Sequence, residues 1–379
     1  MRLGFKDLID HARDWAGMPV GQGNSRLIYQ AVQSAVRECE YARPWQFMRR
    51  YGRVSLDVPY STGTIDYDDT GGAYERMVVL TGGTWPSWAA DGVLEVDGKS
   101  YFVERRISDT VLTLVPDLKP DGDFSGKQYR LNHVIYQLPS DFAQGGTLYV
   151  DQSWFRMQVI RLDEWMQLYH LGGFRAGLPF FVAFGQDQRH PGRFAMFISP
   201  VALGGQKIDF MYQASLRQLR AAGEGPPDNV GTIDISGTTV TGTGTDFRPW
   251  HKGCLLRVGW NSNKPPTGWN GDNPPAEELE VLSVDSSTQL TLKSAPSQNY
   301  TGAAYLLTDP VDVPPSFQNL LYRAVERQMN QAFQLGKEPR QLDREFQRAF
   351  LQAAENDAAV WTRDWKEMNA NWQPIILQP

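Results

Sequence analysis

Two stretches of this chain, residues 53–131 and 229–307, carry the same succession of short motifs. Each begins with Gly-Thr-Ile-Asp, continues through an aromatic turn that ends in Trp, and closes on a Gly-x-x-Tyr segment. Five matches in one order favour duplication of a single module over coincidence. The matching positions are 63–66 and 231–234, 88 and 250, 93–96 and 255–258, 112–114 and 290–292, and 126–129 and 302–305.

The repeated segments have the residue pattern of short β-strands. Apolar and polar residues alternate in runs bounded by Gly, Asp, Ser and Thr, without a sustained helical period. The second copy has an additional run, residues 261–278, whose Pro, Gly and Asn content indicates an exposed loop. Gly242 and Gly244 lie among Thr residues, which predicts a hairpin rather than a phosphate-binding loop. We therefore predict two copies of one small barrel or sandwich.

Helical periodicity dominates the two ends of the chain. Apolar residues recur at intervals of three and four over residues 27–39, which predicts a helix that ends before Pro44. A shorter helix is expected over residues 5–16. Near the carboxyl end, the same period predicts one helix that is broken at Gly336 and Pro339 and a longer helix beyond it.

The stretch between the two copies is mixed. Residues 132–228 open with a strand and a turn at Pro139, and a short helix is expected at residues 162–171. Three further strands follow before the Gly- and Pro-rich linker that precedes the second copy. These predicted strands are residues 180–184, 194–198 and 207–212.

Together these patterns predict an α+β protein. At 379 residues the chain is long enough for two or three units that each bury a core. A helical frame built from both ends would hold a central β-rich segment and the two modules. The predicted segments are residues 1–52 and 308–368 for the frame, 53–131 and 229–307 for the two modules, 132–228 for the central segment, and 369–379 for an apolar tail.

The charge of the chain restricts its partners. Lys and Arg total 37 and Asp and Glu total 43, which gives a formal net charge of −6. This balance disfavours an outer surface that binds nucleic acid, but it suits the wall of a channel through which DNA passes without being held. The basic pairs at 49–50 and 105–106 are too short for a nucleic-acid patch.

Cysteine usage and hydropathy indicate folding in a cytoplasm. The two cysteines, Cys39 and Cys254, are far apart in sequence, and sparse cysteine favours free thiols over a disulfide. Residues 1–15 lack the apolar core of a signal peptide, and no run approaches the ~20 apolar residues that cross a bilayer. We therefore expect no membrane partner.

The sequence offers little support for catalysis or metal binding. Its five His residues never pair at the spacing of a zinc site, and neither a P-loop nor a nucleophile elbow occurs. We predict no catalytic, cofactor-binding or metal-binding residues. The five histidines are His11, His133, His170, His190 and His251.

Two residue sets leave a functional alternative open. Six carboxylates fall into two short groups that could supply a glycosidase pair, although solvated acids are the simpler interpretation. Four aromatics at the turns of the two modules could form a sugar-binding platform, although core packing is the simpler interpretation. The carboxylates are Asp66, Asp68, Asp69, Glu277, Glu278 and Glu280, and the aromatics are Trp85, Trp88, Phe247 and Trp250.

Several segments outside the modules resemble one known family. The central segment contains YQLPSDF, LPFFVAFG, FAMFISPVA and KIDFMYQASLRQL, and the helical ends contain ARPWQFMRR and VPPSFQNLLYRAVERQM. These segments are similar to the head-to-tail adaptor, or connector, proteins of tailed bacteriophages. The Gly-Thr-Ile-Asp and Thr-Gly-Thr-Gly-Thr-Asp-Phe segments of the second copy resemble small β modules of phage neck and tail proteins.

This resemblance implies a structural protein of the virion neck or tail that is synthesised in the host cytoplasm and is not an enzyme. It implies a homo-oligomeric ring, a dodecamer, beneath the portal protein, with the modules facing outward or toward the tail. The tail tube or nozzle, and tail fibre proteins, would be further partners. Viral DNA would pass through the lumen without specific binding.

The carboxyl end is the predicted portal-binding region, because buried aromatic and aliphatic anchors dominate interface energy. Two alternatives stay open: a tail-side ring or fibre-docking protein, and a virion-associated cell-wall glycosidase. The residues predicted to contact the portal are Trp361, Trp365, Trp372, Ile375, Ile376 and Leu377.

Overall fold

In a computed structural model, the chain divides into two compact units. We call Met1–Met48 together with Ser215–Pro379 the frame unit, and Arg49–Ala214 the inserted unit. Both units combine helices with antiparallel sheets, so the predicted α+β class is confirmed. The residues described are 2–18, 25–69, 76–116, 118–150, 156–172, 176–186, 192–202, 204–268 and 271–368.

Four helices of the frame unit pack around one apolar core. Leu8, Ile28, Leu321 and Phe346, one from each helix, are buried there. α1 coincides with the span that its apolar spacing predicts, and it ends at Gly17, which adopts the left-handed conformation that favours glycine. The helices of the chain are α1 (Phe5–Ala16), α2 (Ser25–Tyr41), α3 (Leu162–Gly172) in the inserted unit, α4 (Pro315–Phe333) and α5 (Pro339–Met368).

The aromatic segment after α2 completes this helical core. Trp45 is fully buried, and its indole N–H donates to the carbonyl oxygen of Cys39 at 2.7 Å. Its ring meets Phe317 of α4 edge to face, with the centroids 4.7 Å apart. Because Pro44 cannot continue a helix, the chain leaves α2 there and turns its aromatic side chains into the bundle.

The strands of the inserted unit belong to two regions, the first module copy and the central segment. The chain alternates short strands with turns throughout. The strands are β1 (Arg49–Ser55), β2 (Thr64–Asp68), β3 (Met77–Thr81), β4 (Gly92–Val96), β5 (Lys99–Arg106), β6 (Val111–Leu114), β7 (Phe124–Lys127), β8 (Arg130–His133), β9 (Ile135–Gln137), β10 (Phe142–Val150), β11 (Gln158–Ile160), β12 (Ala176–Gly177), β13 (Phe181–Gln186), β14 (Phe194–Ser199), β15 (Val201–Ala202) and β16 (Lys207–Ala214).

The central segment consists of β1 and β9 to β16. It forms a sheet of order β1-β16-β10, a second sheet of order β11-β13-β14-β9, and the pair β12-β15. β1 pairs antiparallel with β16, with Arg49 opposite Gln213. The predicted boundary between the helical frame and the first module, at residues 52 and 53, therefore falls inside a strand of the central segment.

The two module copies have the same topology. In the first copy the sheet order is β7-β2-β3-β6-β5-β4-β8, and in the second it is β22-β17-β18-β21-β20-β19-β23, which is the same succession of equivalent strands. Both are curved, half-barrel sheets. The strands of the second copy are β17 (Thr232–Ser236), β18 (Thr239–Thr243), β19 (Leu255–Gly259), β20 (Pro275–Ser286), β21 (Gln289–Leu292), β22 (Tyr300–Ala303) and β23 (Tyr305–Thr308).

Equivalent side chains also make equivalent hydrogen bonds in the two copies. The Asp of Gly-Thr-Ile-Asp accepts from a glycine N–H, and the closing Tyr hydroxyl donates to a backbone carbonyl. In the first copy these bonds join Asp66 to Gly126 at 2.8 Å and Tyr129 to Thr62 at 2.7 Å; in the second they join Asp234 to Gly302 at 2.7 Å and Tyr305 to Val230 at 2.8 Å.

Candidate functional site

The predicted portal-binding residues occupy the carboxyl end of α5 and the segment after it. Trp361 and Trp365 belong to α5, but their side chains lie outside the described part of the structure. The other four predicted residues, Trp372, Ile375, Ile376 and Leu377, lie outside the described residues altogether. The structure therefore supplies the helix that leads to this site but not the geometry of its side chains.

α5 is tied to the bundle along its first two thirds. Phe346, Ala349 and Ala353 pack into the core, and the carboxylate of Asp357 accepts the backbone N–H of Gln46 at 2.9 Å. Beyond Asp357 the helix continues to Met368. At 1.5 Å per residue, a helix of this length is about 45 Å long, so Met368 lies about that far from Pro339.

The first group of predicted acids serves local structure. Asp66 accepts hydrogen bonds from the Ser125 hydroxyl and the Gly126 N–H, and these bonds lower the pKa of its carboxyl group. Asp69 forms an ion pair with Lys119 at 2.9 Å. Asp66 of β2 therefore joins its strand to the paired strand β7.

In the second group of acids, Glu277 accepts from the backbone N–H of Ser297, whereas Glu278 and Glu280 belong to an ion-pair network around a buried arginine. Arg257 of β19 is almost fully buried, and it donates to Asp7 of α1 at 2.8 and 2.9 Å and to Glu278 at 3.0 Å. Burial would raise the pKa of Glu280, but hydrogen bonds from Lys293 and Arg2 outweigh burial and lower that pKa. An unpaired buried guanidinium would be costly, so Arg257 requires these carboxylates. Its bonds to Asp7 attach α1 to the second module.

The four turn aromatics divide into two types. Trp85 and Phe247 occupy equivalent positions and are buried in the cores of their modules, as core packing predicts. Trp88 and Trp250 are also equivalent, but they lie on short turns at the module edge. Trp88 also packs, partly buried, against the core of its module, whereas Trp250 is 37% exposed.

In the first copy, the second aromatic is covered by the chain itself. The imidazole of His133 stacks on Trp88 with the rings 4.7 Å apart and 2° from parallel. His133 is held in place by Asp57, 2.7 Å from its Nδ1, and by the carbonyl of Ile135. Burial lowers the pKa of His133, although the Asp57 carboxylate opposes that change.

In the second copy, the residue equivalent to His133 is Asp309, since each lies four positions after the closing Tyr of its module. The Asp309 side chain is fully buried and accepts from Arg217 and from the backbone N–H of Arg220 and Ala221. Asp309 therefore secures the chain that enters the module and does not cover Trp250.

Trp250 consequently keeps an accessible ring. It is 37% exposed, and its contact with His251 is T-shaped, at 5.9 Å and 74°, rather than stacked. A cavity of about 300 Å³ adjoins it, with Arg220, Pro226 and Pro227 in the wall. Small-molecule and side-chain pockets in proteins begin at about this size.

Another exposed aromatic, Trp260, lies between β19 and the added run of the second copy. Its side chain is 78% exposed, although its backbone N–H donates to the carbonyl of Pro274 at 3.1 Å. The buried Asn273 side chain holds the loop by accepting from the N–H of Asn261 and donating to the carbonyl of Lys264. Trp260 is thus an exposed indole on an anchored backbone. Sequence reasoning missed it, but an alignment of the two copies places Gly98 at this position.

A wide cleft lies beside α1 in the frame unit, and several charged side chains line it. It has a volume of about 1030 Å³. Its charged side chains are largely paired with one another: Arg13 binds Glu224, and Lys6 binds Asp10. Across the described residues, no group of three or more His, Cys, Asp or Glu side chains could hold a metal ion.

The remaining sequence expectations concern thiols and hydropathy. Cys39 and Cys254 are both buried free thiols, and burial raises the pKa of each. No helix in the described ranges is long and apolar enough to span a membrane.

The sequence was compared with protein-family models and with curated proteins. A scan against protein-family models found no match to this sequence, and a search of the curated proteins found none either.

Proposed function

We propose that this chain is a structural subunit of a phage head-to-tail adaptor, which assembles into a homo-oligomeric ring between the portal and the tail. The observation that carries the proposal is that α5 packs on the bundle through Phe346, Ala353 and Asp357 and extends to Met368, directly before the apolar residues at the carboxyl end of the sequence. Such an end suits insertion into a partner, because apolar and aromatic anchors supply most interface energy.

The position of the family-like segments supports the same function. The ARPWQF segment supplies Trp45, and the VPPSFQNLLYRAVERQM segment supplies Phe317, and these two side chains meet in the bundle core. The segments that resemble phage adaptors therefore build the scaffold that carries α5. A rigid scaffold lowers the entropic cost of presenting a binding helix.

The proposed ring surrounds viral DNA without gripping it. A net charge of −6 gives the chain little general attraction for phosphates. The resemblance puts the ring at twelve copies, and native mass measurement of the assembled ring distinguishes this number from a sixfold tail component.

A tail-side ring or fibre-docking protein is the second candidate. The observation in its favour is that Trp250 and Trp260 are exposed on the second module, where a tail protein could bind them. The glycosidase alternative has weaker support, because Asp66 and Glu278 are engaged in structural hydrogen bonds.

The proposal is tested with the full chain and with a chain truncated after Met368, each incubated with portal rings of the same virus. We expect electron micrographs to show adaptor density on portals with the full chain only, because the truncation removes Trp372, Ile375, Ile376 and Leu377. The exposed residue Leu351 provides a control on the same helix, and Leu351→Ala should bind as the unaltered chain does. Portals decorated equally by the truncated chain would refute the assignment of the carboxyl end as the portal contact.

A further inference from the structure

Three arginines form a line along the outer face of α5. Arg340, Arg344 and Arg348 are all exposed, and they follow one another at intervals of four residues. Residues at this spacing lie on the same face of a helix. Phe346 and Ala349, on the opposite face, pack into the bundle core. We call Arg340, Arg344 and Arg348 the arginine ridge.

The carboxylates closest to the ridge in sequence are bound to another helix. Asp343 pairs with Arg327 of α4 at 3.4 Å. Glu345 pairs with Arg323 of the same helix at 3.2 Å. One ridge side chain donates to a backbone carbonyl, which is a neutral group. Across the described residues, no carboxylate forms an ion pair with the ridge, so its three positive charges are not neutralised by the chain.

The surface between the ridge arginines is polar. From Arg340 to Arg348, every exposed residue is charged or carries a side-chain amide. Protein–protein interfaces are built around apolar and aromatic anchors, whereas protein–DNA interfaces are more polar and more positively charged. Proteins that hold single strands stack the bases on aromatic side chains, and residues 340–348, all of them described, expose none. This surface therefore fits the backbone of duplex DNA.

The spacing of the ridge also suits a row of phosphates. Four residues of an α-helix rise about 6 Å, so the three Cα atoms of the ridge span about 12 Å. One strand of duplex DNA carries a phosphate every ~3.4 Å along the helix axis, so this length presents at least three. The planar guanidinium donates to two oxygens of a phosphate at once, which a lysine ammonium cannot do with the same geometry.

The negative net charge of the chain does not cancel the ridge. The value of −6 is a sum over 379 residues. At physiological salt, exposed charges more than ~8 Å apart are largely screened from each other. The acids beside the ridge, Asp343 and Glu345, already share their charge with arginines of α4. Attraction of a phosphate to the ridge is therefore a local effect.

We propose that the arginine ridge of α5 binds the phosphate backbone of duplex DNA without regard to its sequence. Three phosphate contacts give weak, salt-sensitive binding, and contacts of this kind let DNA slide along a protein. The inference goes beyond the proposed function, because the contact needs neither a portal nor a ring. It is compatible with that function, since sliding DNA is not held in one place.

The test measures binding of the full chain to a fluorescently labelled DNA duplex by anisotropy, at salt concentrations from about 50 to 200 mM. Three phosphate contacts predict a slope of about −2.7 for log K against log salt, a loss of about 40-fold over this range. Arg344→Gln should reduce the steepness of the slope by about 0.9, and replacing all three ridge arginines by Gln should abolish binding. Arg105→Gln is the matched control, because Arg105 is exposed on β5 and the change removes the same charge; it should bind as the unaltered chain does.

Competition identifies the occupant of the ridge. Unlabelled duplex should displace the labelled duplex at lower concentration than a single strand of the same length or polyglutamate. A competitor as effective as the duplex would assign the ridge to a different polyanion, an acidic protein in the case of polyglutamate, and would overturn the inference. Absence of binding at the lowest salt would overturn it, as would a triple variant or an Arg105 control that contradicts the expected slopes. Circular dichroism should show intact helices in every variant, because Gln and Arg have similar helix propensities. No portal is present, so this result is separate from that of the portal-binding test.

Discussion

At the scale of single residues, the module depends on a few positions that only one residue type can fill. Gly231 has a φ of +79°, and a Cβ atom there would lie 2.3 Å from the carbonyl oxygen of Thr243. Gly63 repeats this arrangement in the first copy, with the same 2.3 Å approach to Thr81. The Gly of Gly-Thr-Ile-Asp is therefore required by geometry in both copies.

The substitution Gly231→Ala should destabilise the second module strongly. It combines the strain of a positive φ, about 1 kcal/mol, with overlap against the backbone, which typically adds about 1–3 kcal/mol. Gly237→Ala is the matched control, because Gly237 has a φ of +57° and a Cβ atom there would meet nothing within 4 Å. Urea denaturation of both variants separates the two effects, and equal losses of stability would contradict the steric explanation.

One equivalent position has different residues, and different contacts, in the two modules. His133 and Asp309 occupy the same position, yet one stacks on a tryptophan and the other binds backbone N–H groups. The two copies thus differ in the residue and the contacts at this position, while their sheet order stays the same. The cores of the modules are thus more alike than their surfaces.

At the scale of elements, the junction between α5 and the turn after α2 is the critical contact of the bundle. Asp357 accepts from the N–H of Gln46 at 2.9 Å and from the N–H of Phe47 at 3.3 Å. Its carboxylate is largely buried and so replaces the water that these donors would otherwise bind. The same turn supplies Trp45 to the core.

Asp357→Ala should lower the free energy of unfolding of the frame unit by about 1–3 kcal/mol, since it leaves the partly buried N–H groups of Gln46 and Phe47 without this acceptor. Asp343→Ala is the control on the same helix: Asp343 is exposed and pairs with Arg327, and such surface pairs contribute about 0–1 kcal/mol. Guanidinium denaturation followed by circular dichroism measures both. A loss no larger than that of the control would show that the junction is not anchored by Asp357.

At the scale of the whole molecule, the inserted unit begins and ends on neighbouring strands. β1 starts at Arg49, which lies opposite Gln213 near the end of β16. Paired residues of antiparallel strands have Cα atoms about 5 Å apart, so the two ends of this unit are adjacent. Adjacent ends are the usual condition for inserting a domain into another without disrupting it.

Removal of residues 49–214, with Met48 joined to Ser215 through Gly-Ser, should therefore leave a folded frame unit. We expect a helical circular dichroism spectrum and a single cooperative unfolding transition, because the bundle core draws only on the frame unit. Deletion of residues 37–202 is the matched control: it has the same length but cuts α2 and should not fold. Absence of a cooperative transition in the first deletion would contradict the division into two units.

The sequence by itself determined the elements whose stabilising contacts are local. The span of α1, the break between α4 and α5, and the duplication of the module all follow from patterns within a short window, namely helical period, Pro and Gly positions, and repeated turn motifs. In the modules, the Asp of Gly-Thr-Ile-Asp and the closing Tyr make the same hydrogen bonds in both copies.

Only the tertiary structure decided which residues are covered. β1 joins the central sheet by pairing with β16. Because β16 lies more than 150 residues away in sequence, no local pattern encodes this pairing. Arg257 is buried in contact with Asp7, which lies 250 residues away in the sequence. Trp88 and Trp250 are alike in sequence, but a distant His133 covers one and Asp309 leaves the other exposed. Burial depends on non-local neighbours, whereas helix and turn formation depend mainly on adjacent residues.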